Sequence, residues 1–296
     1  MMATDRSKTI IYVRKRILLM AAIAIILIAA LYLVITTALL EKETHIYPDY
    51  PMIDIRYLLL KTQLTNEDYK ILFRQTGLGK AAIEEILKHH PNAADHILSL
   101  QQNFFRKINF ICEKTSIISM EEYLVDEGKN IVSGTQLAPL HNGDILITKA
   151  SHVYGWRNGH SAIVVDAENG KTLESVLLGT NSSIQDISKW TSYPNFILLR
   201  LKNAPPDLTE NISQRAAALL LDIPYNLTVG IFSPKFAGYE KVAGTYCSHL
   251  VWQAYSYYGI DLDSDGGMIV TPKDIACCPK LEIVQVYGVD PENIWP

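Results

Sequence analysis

The stretch GTYCSHLVWQAYSYYGIDL, residues 244–262, sets a cysteine where a loop turns into an amphipathic helix. Gly244 and Thr245 end the loop. Leu250, Val251, Ala254, Tyr257 and Tyr258 then recur at i, i+3, i+4 spacing until Gly259 stops the run. This places Cys247 in the first helical turn, where unsatisfied amide N–H groups and the positive end of the macrodipole favour a thiolate. A lone cysteine is ordinarily a small packing residue. Chemistry at Cys247 therefore requires a base brought from elsewhere in the chain.

Eight histidines are available. His249 is nearest, but two residues along a helix is about 200° around it, so its ring points away from the thiol. His89, His90 and His96 fall in a helical stretch and His45 in a linker, while His141 and His152 sit in polar loops and read as solvated or capping residues. His160 differs. Gly159 precedes it and the apolar run SAIVV follows at once, which puts an imidazole at the mouth of a buried strand.

The remaining pattern is mixed, and it predicts an α+β protein. Short β-rich runs cover 143–148 (GDILIT), 160–167 (HSAIVVDA), 171–178 (KTLESVLL), 196–201 (FILLRL) and 281–288 (LEIVQVYG), with a helix over 210–221 after Pro205-Pro206. Residues 64–110 carry helical spacing instead. Thr65 with Asp68 marks a helix start, Gly77 and Gly79 break the run, and Pro91-Asn92 breaks it again, giving about three helices. The segment TGLGKAAIEEIL, 76–87, lacks the upstream glycine and the Ser/Thr after Lys80 that a phosphate-binding P-loop needs. It also resembles the glycine turn of a helix-hairpin-helix DNA-binding motif, but an extracytoplasmic location leaves no obvious DNA, and a helix break with restart accounts for it.

Residues 17–40 run without a charge, and at ~1.5 Å per residue they would span about 36 Å, enough for a hydrocarbon core of about 30 Å. Arg6, Lys8, Arg14, Lys15 and Arg16 precede this run and Glu41 and Glu43 follow it. The positive-inside bias then predicts a single-pass membrane protein with a cytoplasmic tail (1–16), an anchor (17–40), a linker (41–51) and everything beyond on the outer side. The run is too long for the apolar core of a signal peptide. A net charge of −4 gives no footprint for nucleic acid. Cys112, Cys247, Cys277 and Cys278 are too few and too irregularly spaced for a disulfide framework or a zinc site, so no metal and no organic cofactor is expected.

Several short motifs then line up in order: GDILI, GHSAIVV, LESV, PYN, YCSHLVWQAY and GIDLD. Together they resemble the circularly permuted papain-like amidases of the YiiX and YaeF type, relatives of the NlpC cell-wall peptidases, over about residues 140–290. In that family the histidine strand precedes the cysteine helix, as His160 precedes Cys247 here. Residues 52–139 lie outside the resemblance and read as a helical extension; the resemblance implies that a permuted papain-like (NlpC-like) domain (140–296) follows, with an antiparallel sheet packed against the cysteine helix. It implies Cys247 as nucleophile, His160 as general base and a third polar residue on the next strand. Glu174 is favoured for that role, although a two- or four-residue hairpin loop would put Ser175 on the histidine's face, whereas an odd loop or a bulge would select Glu174. Tyr246 and Tyr225 are candidates for the oxyanion region and the substrate cleft. The implied activity is cysteine-dependent hydrolysis of an amide bond in cell-wall peptide. The alternatives are a lipid acyltransferase or thioesterase, since lecithin:retinol acyltransferase-like proteins share the permuted fold, and a non-catalytic wall-binding module.

Overall fold

The structure is a computed structural model that describes residues 3–40, 45–116, 118–153 and 156–295, with side chains of the first helix described over 14–35. Residues 41–44 of the expected linker lie outside the described residues, as do the side chains of Arg6, Lys8, Glu41 and Glu43 that enter the charge bias. Helix α1 (Ala3–Leu40) begins well before the apolar run, because nothing in the basic tail breaks it. Its window Arg14–Ile35 is long and apolar enough to cross a membrane, with mean hydropathy 3.1 and none of it buried against the rest of the chain.

Helices α2 (Arg56–Leu59), α3 (Asn66–Thr76), α4 (Lys80–His89) and α5 (Ala93–Phe105) follow. The start of α3 is a reciprocal capping box: the Asp68 N–H donates to Thr65 Oγ1 at 3.2 Å and the Thr65 N–H donates to Asp68 Oδ2 at 2.8 Å. The helical reading to residue 110 extends too far. The chain turns extended after Phe105, and β1 (Asn109–Lys114) pairs antiparallel with β2 (Ser119–Val125). Two acidic residues in the middle of β2, Glu121 and Glu122, hide its strand character, because Glu122 is buried only by virtue of ionic partners far away in sequence.

A larger antiparallel sheet is built from β3 (Ile145–Thr148), β5 (His160–Asp166), β6 (Lys171–Glu174), β7 (Ser183–Asp186), β8 (Phe196–Leu201) and β9 (Leu281–Tyr287), in the order β7-β6-β5-β3-β8-β9. The short β4 (Ser151–Val153) leaves this sheet and pairs with β2, so the smaller sheet runs β1-β2-β4. Helices α6 (Pro206–Leu219) and α7 (Cys247–Ser256) pack on β5, and α8 (Pro272–Ala276) lies near α7 and β3. The architecture is thus α+β, with two antiparallel sheets and an N-terminal apolar helix. One hydrophobic core joins Leu72, Ile83 and Ile97 of the early helices to Ile145, Leu198 and Val284 of the sheet.

The glycine turn TGLG is explained by the edge of that sheet. The Val286 N–H donates to Gly77 O and the Gly79 N–H donates to Val284 O, both at 2.8 Å, so the turn closes the outer side of β9. Arg200 adds a second tie: its Nε and Nη2 donate to Asp144 at 2.8 Å, while Nη1 pairs with Glu85 of α4 at 3.2 Å. Gly77 has φ +72, and a Cβ there would stand 2.1 Å from Val286 O. The substitution Gly77→Ala is therefore expected to destabilise the protein by about 1–3 kcal/mol, seen as a lower denaturant midpoint.

Candidate active site

The geometry of the β5–β6 hairpin decides which residue faces His160. Asp166 pairs with Lys171, leaving a four-residue loop over 167–170, and the register then shifts between Val164 and Asp166 so that Val164 pairs with Thr172 and Ile163 with Leu173. Carried on, that register sets Glu174 opposite Ala162, on the same face as His160. The bulge reverses the parity that the loop alone would impose. Glu174 Oε2 accordingly lies 2.7 Å from His160 Nε2, whereas Ser175 Oγ is buried with no hydrogen-bond partner among the described residues. Gly159 sets the entry to β5: its φ is +73, and an added Cβ would stand 2.6 Å from Thr148 O, the carbonyl of the residue paired with His160.

Glu174 is fully buried, yet every oxygen is served. Besides His160, Lys189 Nζ donates to Oε2 at 2.6 Å, and Thr172 Oγ1 and Trp190 Nε1 donate to Oε1 at 2.6 and 3.0 Å. The Trp190 ring also stacks on the imidazole at 5.7 Å, tilted by 17°. Lys189 and Trp190 come from the 3-10 turn Ile187–Ser192 after β7, and sequence reasoning missed them because they reach Glu174 only through the return of that strand. Thr172 was within reach, two residues before Glu174 on the same face of β6.

Cys247 is the first residue of α7, and the preceding Tyr246 offers no side-chain cap, so the first-turn amides remain directed at the thiol's surroundings. With Nε2 of His160 held by Glu174, Nδ1 is the ring nitrogen left for the Cys247 thiol, and thiol and imidazole each shift the titration of the other. Burial pushes the His160 imidazole down, but Cys247 and Glu174 outweigh it and hold the ring up at about 9. Burial likewise pushes the thiol up, and the hydrogen bond and charge of His160, helped by the Ser248 hydroxyl and the Ser161 N–H, bring it below the ordinary thiol value. Burial pushes the Glu174 carboxyl up too, and His160 and Lys189 more than reverse this to about 2. All three shifts favour a thiolate–imidazolium pair backed by a carboxylate.

The other expected residues fall around this pair. His249 turns away: its Nε2–H donates to Lys235 O at 2.8 Å, its Nδ1 meets Thr245 Oγ1 at 2.8 Å, and burial pushes it down to about 4. Tyr246 braces a wall, since its hydroxyl accepts from the Val270 N–H at 2.9 Å while Ser248 Oγ donates to Val270 O at 2.8 Å. Tyr225 is brought in by backbone pairing of PYN with the residues before the cysteine, the Asn226 N–H donating to Thr245 O at 2.7 Å. Cys247, Tyr225 and Tyr246 line one cleft of about 610 Å³, whose other walls are mainly apolar: Trp156, Leu227, Ile231, Ile269 and Trp295. His160 and Glu174 lie buried behind the thiol.

Two histidines depart from the solvated reading. His152 is buried, its Nε2 3.0 Å from Glu122 Oε1, and Arg157 pairs with the same carboxylate at 2.7 Å. This is a consequence of β4 joining the second sheet. His45 is also tucked in, hydrogen-bonded through Nδ1 to Pro194 O and pushed down by burial to about 4. Asp263, Asp265 and Asp274 form a group of carboxylates with oxygens within 4.8 Å of one another. Protein donors already serve this group: Lys235 Nζ binds Asp263 Oδ2, and the Thr271 N–H donates to Asp274 Oδ2 at 2.7 Å.

No family model matches the chain, and no curated protein matches it. Among solved structures it is similar to the crystal structure of metalloprotein yiiX from Escherichia coli O157:H7, at 14% identity and a TM-score of 0.39, over 49% of this chain and 97% of that one. The site therefore stands on its own geometry. That geometry predicts how Cys247 alkylates. An ordinary thiol is only about 1% thiolate at pH 6.5, so iodoacetamide should modify wild-type Cys247 at that pH on the order of tenfold faster than in a His160→Asn variant. The wild-type rate should fall in acid as the lowered thiol titrates, and a second change should appear near pH 9 as the imidazolium is lost. Mass spectrometry of the alkylated peptide reads both limbs.

Proposed function

We propose that the protein is a membrane-anchored cysteine hydrolase of the permuted papain-like type, with α1 as the anchor and the Cys247 domain outside the cytoplasm. The observation that carries this reading is the His160 imidazole held at 2.7 Å by the buried Glu174 carboxylate, with its charge acting on the Cys247 thiol and lowering it. The thiolate attacks a substrate carbonyl carbon, and the first-turn N–H groups of α7 receive the developing oxyanion. The imidazolium then gives its Nδ1 proton to the leaving group as the carbon–heteroatom bond breaks, leaving a thioester. Water, losing a proton to Nδ1, hydrolyses the thioester to a carboxylic acid and regenerates the thiol. Glu174 holds the ring orientation and the charge throughout. No step requires a metal or an organic cofactor.

An amide in cell-wall peptide is the first substrate class to test, since the anchor would keep the domain beside the wall. A second class, an ester or thioester of an acyl chain, is favoured by one observation: the cleft beside Cys247 is walled mainly by Trp156, Leu227, Ile231, Ile269 and Trp295. Full-length protein incubated separately with muropeptides and with acyl thioesters should accumulate a thioester adduct on Cys247, visible by intact mass, with one class only. Cys247→Ala should abolish both adduct and product, and turnover retained by that variant would sink the proposal. Glu174→Gln should lower turnover by about 10²- to 10⁴-fold, whereas Ser175→Ala should leave it close to wild type. A wild-type enzyme that forms no adduct and turns over neither class would favour the binding-module alternative.

A further inference from the structure

The mouth of the Cys247 cleft is ringed by exposed apolar side chains. Phe232 is 86% and Met268 70% exposed, and Trp156, Leu227, Ile231 and Ile269 stand beside them, each more than one third exposed. The loops that bear these residues are in contact, for a Cβ on Gly230 would stand 1.9 Å from Met268 O. Nothing in the catalytic arrangement uses Phe232 or Met268.

Two observations say what lies against this rim. The first is the length of chain between helix and domain. α1 ends at Leu40, and the chain is already fastened to the folded unit at His45, bonded to Pro194 O, and at Ile46, whose N–H donates to Gly288 O at 3.0 Å. Five residue steps reach at most about 18 Å, so a helix that spans a bilayer holds the domain at its surface. The second is a ring contact: Tyr32 of α1 lies 5.2 Å from Trp156 on the cleft rim. Tyr32 lies within the uncharged run 17–40 of α1, eight residues, about 12 Å along the axis, inside its end at Leu40. A rim residue that meets α1 within that run stands beside lipid, and Trp is one of the residues that collect at the membrane boundary.

We propose that the tips of loops 227–232 and 268–269, with Trp156, insert into the bilayer leaflet next to α1, so that the cleft of Cys247 opens at the lipid boundary. The proposal rests on the reading of α1 as a membrane anchor. It makes the bilayer itself the partner of this face, with the apolar side chains entering the acyl boundary as interfacial anchors do. Substrates carried by lipids then reach the thiol without leaving the membrane.

The test uses the full-length chain, as wild type and as Cys247→Ala, in vesicles of phosphatidylethanolamine and phosphatidylglycerol doped with a phospholipid carrying a diazirine on its acyl chain. After irradiation, mass spectrometry should map lipid adducts to peptides 227–232 and 268–269 as well as to 14–35, in both proteins alike. A Phe232→Ser/Met268→Ser variant should lose the loop adducts, down to the level of the exposed polar turn 126–130, while keeping those in 14–35. Loop labelling no stronger than that turn, or unaffected by the double substitution, overturns the proposal, and absence of adducts in 14–35 removes the anchor on which it depends. Photolabelling needs no thiol, so loss of Cys247 acylation with the loops still labelled would sink the hydrolase reading and leave this surface standing.

Discussion

The buried carboxylate of Glu174 is the constraint on which the site depends. A charged oxygen pair fully removed from water is tolerable only when it is surrounded by donors, and here His160, Lys189, Thr172 and Trp190 supply them. Removing one partner of such a group costs about 3–5 kcal/mol, because the remaining charge stays buried. The four donors come from three pieces of local structure: a strand start, a 3-10 turn that supplies two of them, and a neighbour on the same strand face. The hairpin bulge, the length of β7 and the turn after it are therefore all fixed by one carboxylate. The same arrangement raises the imidazole and so lowers the thiol, which links the packing of the sheet directly to the charge state of Cys247.

The placement of β5 follows from this. With β6 on one side and β3 on the other, β5 is an interior strand, and α7 packs across it. An interior strand cannot slip by one residue without turning its buried set outward. The His160 ring is thus held by a register that Ile163 and Val164, both fully buried, enforce. Cys247, by contrast, comes from the first residue of a helix that follows a long excursion through α6 and the loops beyond it. What aligns the two is the fit of a helix on a strand: Leu250, Val251 and Ala254 are buried on the core side of α7.

The parts of this site visible in the sequence are those set by short-range pattern. The start of α7, the strand beginning at His160 and the helical spacing that turns His249 away are all decided within a few residues. Glu174 could be reached only as one branch of a parity argument, because the extra residue at Val165 has no signature of its own and a four-residue loop by itself points to Ser175. Lys189 and Trp190 were invisible for a stronger reason. Their contact with Glu174 is made by the return of β7, a tertiary event that no local period encodes. The β1–β2 hairpin failed to show because Glu122 looks like a surface residue until His152 and Arg157 arrive from beyond β3 to neutralise it. His152 was misread for the same cause, seen from the other partner. Long-range charge pairing, not weak propensity, is what the sequence concealed.

The segment 190–195 then joins the site to the start of the folded chain. Trp190 donates to Glu174 and stacks on His160, Tyr193 packs edge-on against Trp190 at 5.4 Å, and Pro194 accepts a hydrogen bond from His45 at the first described residue after α1. Asn195, next in line, receives the Lys149 N–H on its side-chain oxygen at 2.6 Å and so fixes the end of β3 beside the histidine strand. Six residues thus hold the carboxylate, the imidazole and the point where the chain enters from the helix. Any displacement of the entry point relative to the sheet must break the Pro194 or Asn195 bonds before it can act on Glu174. The point where the chain enters the folded unit after α1 therefore lies on the same strip of backbone that orients the His160 ring, and the two share one set of packing contacts.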